Sequence, residues 1–264
     1  MSLKSLLAAL RRAAAPRPVP SVPDAWRATR GGGTRILVVD SGLPDHLALG
    51  GALDVAASQS FVWGADVWDR CGHATAVCGI VHDWAPDARM VCYKVAKDEA
   101  GAKSVGSADL RMAFEAACDL RPDVVCCTVC FSAGVSKVQR SLGVLESLGI
   151  PVVCAAGNDA GAGVAYPARF DQAVAVGACD RRGRAARFSP AGLGVDCLFP
   201  GVRIPTLWIH GGRAVVSGTS YAAPCAAAVA ALYIAHLRLG PGDGAPRGAG
   251  LVAAVRGGLA DAGA

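Results

Sequence analysis

Apolar residues along this chain fall into short unbroken runs separated by longer stretches with helical spacing. The first run covers 35–40, where Ile36, Leu37, Val38 and Val39 are consecutive and Asp40-Ser41-Gly42 closes the run. An uninterrupted aliphatic run ending in polar residues is the pattern of a strand buried on both faces, as in a parallel sheet. Similar runs stand at 89–95, 124–129, 152–155 and 173–178. Between and after them, helical patterns cover 73–82, 107–119, 136–148 and 222–237, with Ser107 set to cap the second helix and Gly149 to end the third. Strands and helices in alternation predict an α/β domain with a mainly parallel sheet.

The same pattern sets the domain limits. Residues 1–33 form an N-terminal extension: Leu3, Leu6, Leu7 and Leu10 recur at helical spacing, and Pro16, Pro18, Pro20 and Pro23 mark an extended linker. The globular domain is expected over 34–239. From 240 to 264 the chain turns rich in Gly, Pro and Ala, which predicts a weakly ordered tail with one short helix near 251–259. Gly31-Gly32-Gly33 precedes a strand rather than following one, so it does not fit a phosphate-binding loop. The best apolar run, after Ser220, contains Pro224 and reads as a core helix rather than a bilayer span; Pro224 is expected in its first turn.

Composition narrows the function class. The net charge of +5 is mild, and no basic run interleaved with aromatics points to nucleic acid. Eleven cysteines, an odd number scattered without metal-ligand spacing, read as reduced thiols filling the core, and so predict a reducing, cytoplasmic setting. The short apolar stretch near the N-terminus, interrupted by Arg11 and Arg12, does not make a secretory signal.

Four polar positions interrupt the apolar frame. Ser220 stands between small residues at the start of the 222–237 helix, where free N–H groups and the helix dipole favour negative charge. Asp40 ends the first strand, His73 opens a helix of small residues, and Asn158 follows Ala155-Ala156-Gly157 at another strand end. Taken singly, these are an N-cap, a turn residue, a structural histidine and another turn residue. Their joint occurrence is not explained that way.

The segments Val39-Asp40-Ser41-Gly42, Gly72-His73-Ala74-Thr75-Ala76-Val77, Ala155-Ala156-Gly157-Asn158 and Ser217-Gly218-Thr219-Ser220-Tyr221-Ala222-Ala223-Pro224 resemble the subtilisin-like serine proteases in residue type and chain order. The resemblance covers about 34–237. It implies a three-layer α/β/α fold and a serine endopeptidase. In that reading Ser220 attacks the scissile carbonyl, His73 shuttles the proton and Asp40 orients His73. The Asn158 amide would receive the oxyanion, a role worth about 3 kcal/mol. The substrate, a peptide or protein, would lie as an extended strand along Thr128, Val129 and Cys130, with Ala156, Gly157, Asp159, Ala165 and Thr219 completing the binding surface.

The departures carry expectations of their own. Cys130 stands where the family has a glycine, so a reshaped S1 pocket is expected, and Asp159 at its rim favours a basic P1 side chain. Little chain separates His73 from the strand at Arg89, leaving no loop for the calcium site of many relatives; no metal or cofactor is expected. The Pro-rich segment could lie across the cleft as an inhibitor. A dedicated protease that trims a peptide precursor, a ligase or cyclase using the same triad, and a catalytically silent peptide-binding scaffold are all compatible with these residues.

Overall fold

The computed structural model describes residues 29–99, 102–239 and 248–262. The leucine repeat and most of the Pro-rich linker, with the inhibitory role considered for it, lie outside the described residues.

Five of the strands follow directly from the apolar runs: β1 (Arg35–Asp40), β3 (Arg89–Lys94), β6 (Val124–Cys127), β7 (Val152–Ala155) and β8 (Ala173–Cys179). With the two-residue β2 (Gln59–Ser60) and β9 (Cys197–Pro200) they form a seven-stranded sheet in the order β2-β3-β1-β6-β7-β8-β9. All its pairings are parallel. Two antiparallel ribbons stand apart from it, β4 (Ala96–Glu99) with β5 (Ala102–Val105), and β10 (Ile204–Trp208) with β11 (Gly212–Val216).

Alternation along each strand divides the core into two. Ile36 and Val38 face one side, where they pack with α1 (His73–Trp84), α4 (Thr219–Leu239) and α5 (Ala249–Ala262). Leu37 and Val39 face the other, against α2 (Ser107–Leu120) and α3 (Ser136–Ser147). The architecture is therefore three-layered, α/β/α. Among the described residues α4 alone is long and apolar enough to cross a membrane, and 67% of its apolar stretch is buried inside the protein. Its alanines let it lie close under the sheet while also touching α1 and α5.

Three local expectations are corrected. Ser107 is the first residue of α2 rather than its cap; Gly106 holds the cap position and no side chain bonds there. The helix expected from Ala222 begins at Thr219, which places Ser220 inside its first turn and Pro224 one turn further in. Pro224 has no N–H for the Ser220 carbonyl four residues back, so this helix carries an interrupted ladder just beyond Ser220. The third concerns the extent and packing of the helix expected near 251–259 in the tail. Its final segment is a full helix, α5, with Val252, Val255 and Leu259 buried and Arg256 donating to the carbonyls of Asp171 and Ala173 at 2.6 and 2.8 Å. The helix itself was expected from the sequence; it starts two residues earlier and ends three residues later than 251–259.

The sheet order reverses at β1, which has β3 on one side and β6 on the other. In open parallel sheets this switch point opens a crevice outside the carboxyl ends of the strands. Asp40, Thr128 and Asn158 all lie at such ends.

Candidate active site

Asp40, the last residue of β1, is 1% exposed. Its carboxylate accepts from the Ser41 N–H at 2.6 Å and from the Thr128 hydroxyl, and both of its oxygens lie 2.8 Å from His73 Nδ1. Three donors thus converge on one buried group. The Thr128 hydroxyl is committed to Asp40, so of the residues expected to line the substrate, this one also holds the acid in place.

His73 is the first residue of α1, and its position depends on how that helix starts. Gly72 precedes it with φ 88°, and a Cβ there would meet the Trp208 ring at 2.6–2.9 Å, so glycine is required twice over. Glycine cannot cap a helix with a side chain, and two residues from elsewhere do so. The Ser41 hydroxyl accepts from the Ala74 N–H at 3.0 Å, and Asp69 accepts from the Thr75 N–H at 2.8 Å. Asp69 also receives the Thr75 and Ser41 hydroxyls (2.6 and 3.0 Å) and the N–H groups of Cys71 and Gly72 (3.1 and 3.0 Å). The fully buried Lys94 donates to the Trp68 carbonyl at 2.7 Å, anchoring the loop that delivers Asp69. Sequence reasoning missed both residues. The one signal available was an acidic residue just upstream of a helix whose cap is glycine.

An Asp69→Asn exchange tests this arrangement. A single amide oxygen cannot serve all these donors, and its NH2 would face some of them. Stability is expected to fall by about 3 kcal/mol, since hydrogen bonds to a charged group are worth more than neutral ones. Denaturant unfolding of the two proteins measures it; equal midpoints would remove Asp69 from this role.

Ser220 lies in the first turn of α4, with its hydroxyl donating to the Thr128 carbonyl at 3.3 Å. The neighbouring Tyr221 ring sits 5.1 Å from the His73 ring, centroid to centroid. Burial, followed by the charges of Asp40, Cys71 and Asp69, pushes the Tyr221 hydroxyl up to about 12, so it remains neutral beside the imidazole at ordinary pH. The crevice thus brings Asp40, His73 and the first turn of α4 together.

Asn158 follows Gly157 at the end of β7. Its Oδ1 accepts from the Thr219 N–H at 2.8 Å and the Thr219 hydroxyl at 3.1 Å, which leaves Nδ2 as a donor beside Gly218. A Cβ at position 218 would come within 3.4 Å of that nitrogen. Thr219 itself is 0% exposed, and its hydroxyl both donates to the Gly157 carbonyl (3.0 Å) and accepts from the Gly157 N–H (3.1 Å). Through these bonds Thr219, one of the residues expected at the substrate, clamps the Asn158 loop to the start of α4.

The remaining expected residues lie on two segments, 128–131 and 156–166. Val129 and Ala156 are buried, and Cys130 is exposed. The Ala165 N–H donates to the Ala156 carbonyl at 2.8 Å, and Ala165 Cβ lies 3.1 Å from where a Gly157 Cβ would be. Phe131 and Tyr166 exchange two backbone hydrogen bonds (2.7 and 2.9 Å), tying the two segments together. Asp159 is exposed, with one carboxylate oxygen accepting from Gly161 and Ala162 in its own turn. Among the described residues no group of three or more His, Cys, Asp or Glu side chains could hold a metal ion.

The sequence profile of the subtilase family matches residues 31–239. Alkaline elastase YaB of Bacillus sp. (strain YaB) and M-protease of Shouchella clausii (strain KSM-K16) are each 31% identical over 217 residues, 78% of this chain. The matched region is 55% of the length of either, so the chain spans about half of these relatives. Subtilisin Savinase of Lederbergia lenta is 30% identical over 78% of both chains. Among solved structures, that of the prenylagaramide maturation protease PagA superposes with a TM-score of 0.71 at 24% identity, covering 84% of this chain and 82% of its own. The profile covers most of the chain and these relatives are 30–31% identical to it over 78% of its length: the chain belongs to the subtilase family.

Proposed function

We propose that the protein is a serine endopeptidase in which Ser220 is the nucleophile, His73 the general base and acid, and Asp40 the group that orients His73. The observation that carries this reading is the buried Asp40 carboxylate, held by Ser41 and Thr128 and set 2.8 Å from His73 Nδ1. With Nδ1–H donating to Asp40, Nε2 is the acceptor and can take a proton. Rotation of the Ser220 side chain away from the Thr128 carbonyl would release its hydroxyl to His73. The serine oxygen then attacks the scissile carbonyl, and Asn158 Nδ2 with the Ser220 N–H receives the developing negative charge. His73 returns the proton to the leaving amine, and water repeats the sequence on the acyl-enzyme.

The peptide would be held as an added strand along 128–130, with its P1 side chain in the slot between that segment and 156–165. Cys130 on one wall and Asp159 at the rim favour a restricted choice of P1, with preference for a basic side chain. A dedicated role in trimming a peptide precursor fits such restriction. The abundance of buried thiols supports a reducing compartment as part of the same proposal.

A fluorophosphonate probe followed by peptide mapping tests the reading: the adduct is expected on Ser220, and an adduct elsewhere or none at all would overturn it. Replacing Asn158 by Ala is expected to lower kcat about 10²–10³-fold with little change in KM, because the amide serves the transition state rather than the bound peptide. Steady-state kinetics on any cleaved peptide reads this directly.

A further inference from the structure

Next along the sheet from β7 come β8 and β9, whose carboxyl ends lie on the same edge as Asp40 and Asn158. The segments that follow them, beginning at Asp180 and Gly201, border an open, shallow depression of about 560 Å³ lined by Asp180, Arg181, Arg182, Arg184, Val202 and Arg203. Four of these six side chains are arginines. Asp180 is engaged by Arg184 through two hydrogen bonds of 3.0 and 2.8 Å, and this partner holds its carboxyl below the usual range. The guanidinium groups of Arg181, Arg182 and Arg203 have no acceptor among the described residues, and all three are exposed.

This site is joined to the candidate active site through the backbone. The Arg203 N–H donates to the Ser217 hydroxyl at 2.9 Å, and the Gly218 N–H donates to the Gly201 carbonyl at 2.9 Å. The first arginine of the turn is therefore stitched to the segment that runs straight into Ser220. A Cβ on Gly201 would lie 2.8 Å from the Gly218 carbonyl, so the two segments are in close contact. On the serine endopeptidase reading the acyl half of a peptide would lie along 128–130, which leaves the other segment that reaches the nucleophile, Ser217-Gly218, and the arginines stitched to it, for the leaving half.

We propose that this depression binds acidic side chains of the substrate on the leaving-group side of the scissile bond, so that the enzyme selects peptides carrying Asp or Glu a few residues after the cut. This rests on the serine endopeptidase reading. Three guanidinium groups without internal partners offer forked donors that match carboxylates in pairs, and their field concentrates anionic segments near the cleft. Exposure makes the attraction sensitive to salt.

Two measurements test it. In the first, peptide libraries with a randomised core are followed by Asp/Glu, Asn/Gln or Lys cassettes; kcat/KM is expected to be about tenfold higher for the acidic cassette at low salt, the scale of electrostatic enrichment at a charged cleft. An Arg181→Gln/Arg182→Gln/Arg203→Gln variant should lose this preference while reacting with the fluorophosphonate at the unchanged rate. In the second, a fluorescein-labelled hexapeptide of alternating Asp and Glu is titrated by anisotropy. It should bind about tenfold more tightly than its Asn/Gln counterpart, less so as salt rises, and not preferentially to the triple variant. The single Arg182→Gln variant, expected to show a partial loss, stands in if the triple variant fails to fold. Equal binding of the two hexapeptides, or a preference unaffected by the arginine exchanges, would overturn the proposal. So would acidic binding without a cassette preference among cleaved peptides. Failure of the wild type to react with the fluorophosphonate would sink the serine chemistry instead, and is scored apart from the binding titration.

Discussion

Exchanging Ser220 for Ala is expected to reduce kcat on peptide substrates about 10⁶-fold, and exchanging His73 as well to cost almost nothing more. The groups of a triad act as a unit: without the nucleophile the base has no proton to take, and without the base the hydroxyl stays a poor nucleophile. What survives in either variant comes from peptide binding and from the Asn158 amide, which the exchange leaves in place. A serine at the start of a helix that merely caps it would behave differently. Losing such a cap costs about 1 kcal/mol of stability and leaves rates alone. Here the Ser220 hydroxyl bonds to the Thr128 carbonyl at a long 3.3 Å and caps no N–H of its own helix. Thermal unfolding of Ser220→Ala should therefore be close to wild type while activity collapses. A lowered melting point with activity retained within tenfold would return Ser220 to a structural role. Equal and independent losses on exchanging Ser220 and His73, multiplying in the double variant, would show that the two do not share a step.

The sequence made the central strands legible because a strand buried on both faces leaves an unbroken aliphatic signature, as in β1 and β8. The short edge strand β2, with two polar residues, and the ribbon strand β10, with Pro205 in it, leave none. The four polar positions were visible as exceptions within apolar runs, and their order along the chain gave them meaning. What supports them was hidden. Asp69 and Ser41 are 28 residues apart and meet only because the fold brings the loop before α1 against the end of β1. Thr219 adjoins Ser220 in sequence, and nothing in the sequence tells that its hydroxyl faces inward to Gly157. Position in a motif does not reveal on which side of the backbone a side chain lies. The arginines at 181, 182, 184 and 203 were likewise unremarkable in a chain of modest net charge, since 203 joins the others only through the neighbouring ends of β8 and β9.

An Asp40→Asn protein should lose about 10⁴-fold in kcat with KM nearly unchanged. The reason lies in the number of donors around this group. The Ser41 N–H, the Thr128 hydroxyl and His73 Nδ1–H all point at the carboxylate, which can accept from each of them. A carboxamide has one accepting oxygen and an NH2 that can only donate. The Ser41 N–H is fixed by the backbone at 2.6 Å, so it competes most strongly for the single oxygen. The NH2 then faces His73 and can be satisfied only if Nδ1 becomes an acceptor. That tautomer carries its proton on Nε2, the nitrogen required to accept from Ser220, and the base is disabled although every atom remains in place. In the proposed reading the peptide pairs with the backbone of 128–130, and Asp40 touches only the Thr128 side chain there, which is why KM should hold. Steady-state kinetics gives the two constants, and the imidazole N–H signals in a proton NMR spectrum report which nitrogen is protonated. A fall in kcat of less than tenfold, with the proton still on Nδ1, would mean that Asp40 serves the fold at the end of β1 and not the chemistry at Ser220.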